Sequence, residues 1–215
     1  GKSPKEFGAM AKASGLSWQS HHTMGAPFKM PPGGFKPPAG SDTTKKAPPM
    51  KIPPMKNLKE NHQEIVDQAA EGGVKYLVCA SIPLDNAGEI NEAVDILGKA
   101  GEAAKKAGLI LCYHNHTHEF ENVEGRVPYD VLLGQLNAKV LKMDPGRYPL
   151  WHVKDISADK QQPTEIGNGT VDFKRIFDNA KVAGMQHFFV EQDMAANPFE
   201  SITTSFKYLN EKILK

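Results

Sequence analysis

Residues 75–116 read KYLVCASIPLDNAGEINEAVDILGKAGEAAKKAGLILCYHNH. The opening run, Lys75–Ala80, is short, apolar and rich in residues that favour strands, which suits a strand covered on both faces. From Gly88 to Ala107 the period changes. Ile90, Val94, Leu97 and Ala104 recur on one face, while Glu92, Lys99, Glu102 and Lys105 lie elsewhere on the surface, the pattern of an amphipathic helix against a core. Leu109–His114 then returns to a strand. Strand, helix and strand in that order build a parallel pair joined by a crossover helix, so the chain is α/β with a parallel sheet.

Working outward, four more apolar runs read as strands: Leu16–His21, Lys139–Asp144, Leu150–Asp155 and Gln186–Glu191. Leu58–Ala70 reads as a second amphipathic helix. A last helix opens at Asn197-Pro198-Phe199-Glu200, where Asn197 can cap, Pro198 suits the first turn and Glu200 can complete a capping box. Its ending near Lys215 reads as the end of the domain, so residues 1–215 form one domain. Residues 26–56 interrupt the pattern with nine of the 16 prolines and neither period. This Pro-rich insertion follows a strand, which makes a lid over the site one reading, an irregular loop another and a polyproline ligand for a partner a third.

The link Pro145–Pro149 is too short for a parallel crossover, which needs about a dozen residues to travel back along the sheet. Either Lys139–Asp144 and Leu150–Asp155 are not parallel neighbours, or natural chain is missing between Asp144 and Pro145. The second is the expectation here, and six strands against the usual eight of a closed barrel agree with it.

The net charge is +1 over 215 residues, with no basic bank to hold a phosphate backbone, which argues against nucleic acid. No apolar stretch approaches the roughly 20 residues that span a bilayer. Cytoplasm and bacterial periplasm are both compatible with the composition, as is a homo-oligomer. Cys79 and Cys112 sit inside apolar runs and read as buried free thiols.

The chemistry gathers at strand ends. Tyr113–Phe120 reads YHNHTHEF and holds His114, His116, His118 and Glu119; in a strand His114 and His116 point to one face and Asn115 to the other. Imidazoles beside a carboxylate suit a metal or acid–base site. His152, Lys154 and Asp155 close another run, Glu191 and Asp193 a third, and Asp144 a fourth. In a barrel such ends converge on one face, around a common pocket.

The pieces YHNHxxEF, PGRxPLWHVKD, GxGxVDFKxIF, HFFVEQD and PFESITTSFxYL resemble the xylose-isomerase-like TIM-barrel superfamily of sugar phosphate isomerases and epimerases. The resemblance implies a (β/α)8 barrel whose first strand–helix–strand unit precedes Gly1, with a further helical segment absent before the PGR turn. It also implies one divalent metal ion, Mn, Mg, Co or Zn, held by Asp144, His152, Glu191 and, where relatives carry Glu, by His114, with His116 and Glu119 as rivals. On the same footing Glu191, His116, Glu119 and Lys154 are catalytic candidates, and His21, His22, Asn115, Arg147 and Trp151 are substrate contacts. The implied activity is metal-dependent isomerisation or epimerisation of a sugar or keto-sugar. A lyase or dehydratase on the same site and a non-catalytic barrel that binds a partner through its Pro-rich loop are the alternatives.

Overall fold

The computed structural model describes residues 2–27, 55–136, 146, 148–159, 162–193 and 195–215. Two compact units divide the chain, residues 1–142 and 143–215. The expected strand Lys139–Asp144, the Asp144–Pro145 junction and most of the Pro-rich insertion lie outside the described residues.

In the first unit three parallel strands run side by side in the order β1 (Ser20–Met24), β2 (Tyr76–Ser81), β3 (Ile110–Tyr113). Helix α1 (Pro4–Ala13) precedes them, α2 (Leu58–Gly72) and α3 (Ala87–Lys106) are the crossovers, and α4 (Pro128–Gln135) follows. Three of these four helices start at a side-chain cap, and α4 starts at Pro128 without one. Ser3 and Glu6 form a reciprocal capping box on α1, while Asn57 and Asn86 each accept the backbone N–H three residues on. The core holds Ile65, Val66 and Ala69 of α2, Ile90, Ala93, Leu97, Ala100 and Ala104 of α3, and Tyr76, Leu77, Val78 and Cys79 of β2, all buried. The insertion leaves and returns at one place, the carboxyl end of β1, where Met24 bridges Asn57 and Lys59 N–H donates to the Gly25 carbonyl at 2.9 Å.

The first strand begins at Ser20, four residues later than expected. Leu16 is 68% exposed, and Trp18 is spent on the helices instead: it meets Phe7 edge-on at 4.8 Å and lies over Gly72, where any Cβ would be 2.6 Å from the indole. A second close approach, α1 to α2, depends on Gly8, whose Cβ would stand 2.4 Å from the Gly72 carbonyl oxygen.

In the second unit β4 (Leu150–Val153) pairs in parallel with β7 (His187–Val190). The expected strand Leu150–Asp155 is broken at Lys154: β5 (Asp155–Ile156) turns away to pair antiparallel with β6 (Pro163–Thr164). Short helices α5 (Phe173–Asp178) and α6 (Ala180–Ala183) precede β7, and α7 (Pro198–Tyr208) follows it. Val153, Ile166, Phe173 and Leu209 form the core, with Trp151, Phe177 and Phe188 packed against it. Asn197 caps α7 as expected, but the box is only half formed. Glu200 accepts from the Asn197 side-chain amide at 3.1 Å rather than from its backbone N–H.

Of the two thiols, Cys79 is buried in β2 and Cys112 partly exposed. Burial pushes the Cys79 thiol up to about 12, with a backbone hydrogen bond from Ser81 a smaller effect of opposite sign. The thiolate is the reactive form. A thiol reagent at neutral pH is therefore expected to label Cys112 in the folded protein and Cys79 only after urea is added, read by mass spectrometry of the labelled peptides.

Candidate functional site

Parallel pairing of β4 with β7 brings two strand ends together. His152 and Lys154 flank the buried Val153 and so project from one face, and Glu191 lies just past β7, its N–H donating to the Val153 carbonyl at 3.0 Å. Nδ1 of His152 stands 2.5 Å from Oε2 of Glu191. A carboxylate only accepts, so Nδ1 is the donor in this hydrogen bond. Lys154 Nζ donates to Oε1 of Glu191 at 3.1 Å and pairs with Asp193 on its other side. Partial burial pushes the Glu191 carboxyl up, but hydrogen bonds from His152 and Lys154 and the lysine charge outweigh it, and the pKa falls to about 2. Burial also acts to lower the Lys154 ammonium. The hydrogen bonds and charges of Asp193 and Glu191 win, and the lysine stays above its ordinary value, a fixed positive charge at neutral pH.

A layer of buried polar groups holds these strand ends in place. Asp155, 1% exposed, accepts four backbone N–H groups: Ile156 at 2.9 Å and Val171 at 3.1 Å on Oδ1, Gly167 at 2.9 Å and Gly169 at 3.1 Å on Oδ2. This carboxylate organises the loop that returns toward α5, and it is why the strand breaks after Val153. Glycine is needed at 169, because a Cβ there would stand 2.2 Å from Oδ1 of Asp155. Farther along the same loop Glu165 accepts the Ser201 hydroxyl at 2.6 Å and the Gln192 side-chain amide at 3.3 Å. Those bonds, Ser201's first, draw the Glu165 carboxyl down to about 2. Gln192, next to Glu191, is thus tied through Glu165 to α7.

In the first unit His22 and His114 meet edge-on at 5.8 Å, and His114 meets His116 at 4.7 Å. The register aligns His22 with Val78 and Val78 with Cys112, so His22 and His114 share a face of the sheet by parity. His21 takes the other face and packs edge-on to Trp18 at 5.8 Å, where burial lowers its pKa. Glu119 is fully enclosed, in a 3-10 turn His118–Phe120. Its Oε1 accepts from the Tyr113 hydroxyl and its Oε2 from the His116 backbone N–H, both at 2.8 Å. Burial, and then the Glu119 charge, push the Tyr113 hydroxyl far above its ordinary value and keep it a donor. A cavity of about 190 Å³ opens beside His118, floored by Met24, Ser81 and Ile82.

No family model matches the chain. Over 157 residues it is 29% identical to the inosose dehydratase of Geobacillus thermodenitrificans, in a match covering 55% of this chain and 53% of that protein. The chain therefore spans about half the length of the curated relative it matches. Its structure superposes on a sugar phosphate isomerase/epimerase from Parabacteroides distasonis with a TM-score of 0.70 and 23% identity, over 97% of this chain and 75% of that one. A xylose isomerase domain protein from Planctomyces limnophilus gives 0.58 and 14%, over 96% and 80%. The chain has the fold of the xylose isomerase-like TIM barrels.

In a TIM barrel the carboxyl ends of the strands form the reactive face. Within their own units, His152, Lys154 and Glu191 stand at the carboxyl ends of β4 and β7, and His114, Asn115 and His116 just past the carboxyl end of β3. Asp144 and Arg147 lie outside the described residues. Two expected substrate contacts lie, by parity, on the opposite strand face from their histidine neighbours. His21 faces Trp18 rather than the face of His22, and Trp151 packs into the core edge-on to Phe177 at 5.6 Å, on the opposite side from His152. Glu119, expected to be catalytic, has both oxygens engaged in holding the loop. Asp193 received no role in the sequence, although it closes a visible carboxylate cluster. The tie from Glu165 to Gln192 and Ser201 had no local signal, since its members are up to 36 residues apart.

Proposed function

We propose that the chain belongs to a metal-dependent enzyme that moves a proton at the carbon beside the carbonyl of a sugar or keto-sugar. The observation that carries this reading is the group His152, Glu191, Lys154 and Asp193 at the carboxyl ends of two parallel strands. An imidazole beside a carboxylate is a donor set suited to Zn, Mn, Co or Mg, and Asp144 joins it on the sequence alone. A divalent ion bound there supplies Lewis acidity that polarises a carbonyl and its neighbouring hydroxyl.

The residues divide the remaining work by their charge. With a pKa of about 2, Glu191 is a weak base and a permanent anion, which fits a ligand better than a proton acceptor. Lys154, held as an ammonium ion, offers fixed positive charge to the oxygen on which negative charge develops as the proton leaves. Asp193, on the exposed side of Lys154, keeps the lysine in position without closing off its approach to substrate.

Returning the proton to the neighbouring carbon isomerises, returning it to the opposite face epimerises, and loss of a β-leaving group dehydrates. The likeness to an inosose dehydratase favours dehydration as the second reading. The protein, loaded with Mn²⁺ or Zn²⁺ and incubated with ketoses and keto-cyclitols in D2O, is expected to place deuterium beside the carbonyl of its substrate and to stop doing so after chelation. A metal-loaded protein that exchanges none of these compounds would defeat the proposal.

A further inference from the structure

We propose that the loop after β3 is a metal site in its own right, in which His116, His118 and Glu119 hold one transition-metal ion of the Zn²⁺ class. None of the three residues belongs to the His152–Glu191 group.

The argument begins from the enclosed carboxylate. Glu119 has no exposed surface, and the two hydrogen bonds it accepts, from Tyr113 and the His116 N–H, come from neutral donors. A desolvated carboxylate is costly unless positive charge compensates it. The atoms positioned to bring that charge are imidazole nitrogens: Nδ1 of His118 is 3.4 Å from Oε2, and Nδ1 of His116 is 3.8 Å from Oε1. One ligand atom from each of the three residues falls within 4.8 Å of the others. Neighbouring ligands of a tetrahedral ion with bonds of about 2.0–2.2 Å stand roughly 3.3–3.6 Å apart. The loop is therefore close to a three-ligand arrangement without rearrangement of its backbone.

Each carboxylate oxygen keeps a second lone pair after its hydrogen bond, so binding an ion does not require Glu119 to release Tyr113. The two hydrogen bonds then serve as the outer supports that orient a ligating carboxylate. The imidazole rings stack at 5.9 Å with 21° between their planes, and both side chains are about half exposed, which leaves an entry path and room for a water as fourth ligand. Two imidazoles and one carboxylate select Zn²⁺, Co²⁺, Ni²⁺ or Cu²⁺ over Mg²⁺ or Ca²⁺, which prefer oxygen alone.

The test titrates chelator-stripped protein with Zn²⁺ by calorimetry and with Co²⁺ by visible absorption, in wild type, His118→Ala and Glu191→Gln. The proposal expects His118→Ala to lose one equivalent relative to wild type, and Glu191→Gln to keep the equivalent that His118→Ala loses. If the strand-end ion does not exist, wild type binds one equivalent and His118→Ala none, so failure of that reading stays separate from failure of this one. Unchanged stoichiometry and affinity in His118→Ala overturns the loop site. Since His118 is half exposed, the variant should fold; His118→Gln, which keeps bulk and polarity, provides the same readout if it does not.

Discussion

Glu191→Gln is expected to lower turnover of the metal-loaded protein by about a hundredfold or more while leaving the far-ultraviolet circular dichroism unchanged. Glutamine keeps the shape of the side chain and removes its charge. Three interactions change together: the charge facing any bound ion, the acceptor for Nδ1–H of His152 and the anion facing Lys154. Loss of the acceptor for His152 Nδ1–H also removes a bond that orients this ring, so metal affinity should fall along with turnover. Because the folded pKa is depressed to about 2, the carboxylate's contribution is fully present above its unfolded value and is lost only as the pH falls through about 2. Glu191 thus stays ionised at every pH suited to an assay. A Glu191→Gln protein with wild-type turnover and metal content would remove Glu191 from the site.

Asp155→Ala is expected to cost about 3–5 kcal/mol of stability, the range for removing one partner of a buried charged network. Four backbone N–H groups share this one carboxylate, and each left without an acceptor costs about 1–3 kcal/mol before the loop relaxes to admit water. Asp155→Asn should lose less, since one oxygen still accepts while the amide NH2 opposes the remaining donors. Gly169→Ala attacks the same bonds from the other side, through a Cβ that would stand 2.2 Å from Oδ1. Urea denaturation followed by circular dichroism provides the measurement. An Asp155→Ala midpoint within experimental error of wild type would show that the nest does not hold the loop.

The helices were legible because long periodic segments carry their own evidence. Gly88–Ala107 was expected and Ala87–Lys106 is found, with Asn86 as its cap. The strand cores were legible for the same reason, but their ends and faces were not. A strand read from apolar content does not say which parity faces the helices. His21 and His22, or Trp151 and His152, therefore looked like joint members of one site, although neighbours along a strand point to opposite faces. Asp155 is a different case. At the end of an apolar run it looked like a reactive group, whereas its partners are backbone N–H groups at 156, 167, 169 and 171, which have no side-chain signature except the glycines of Gly167-Asn168-Gly169. Glu119 resembles it on a smaller scale, reaching back three residues to the His116 N–H as a capping glutamate does.

Trp18, lying over Gly72, and Trp151, edge-on to Phe177, are the two tryptophans of the chain, and each compact unit holds one. The molecule therefore carries a separate intrinsic fluorophore for each half. Trp18→Phe leaves emission that reports only on residues 143–215, and Trp151→Phe leaves emission that reports only on residues 1–142. Superimposable melting curves from the two variants would mean that the halves unfold as one cooperative body, and displaced curves would measure how much stability each half possesses by itself.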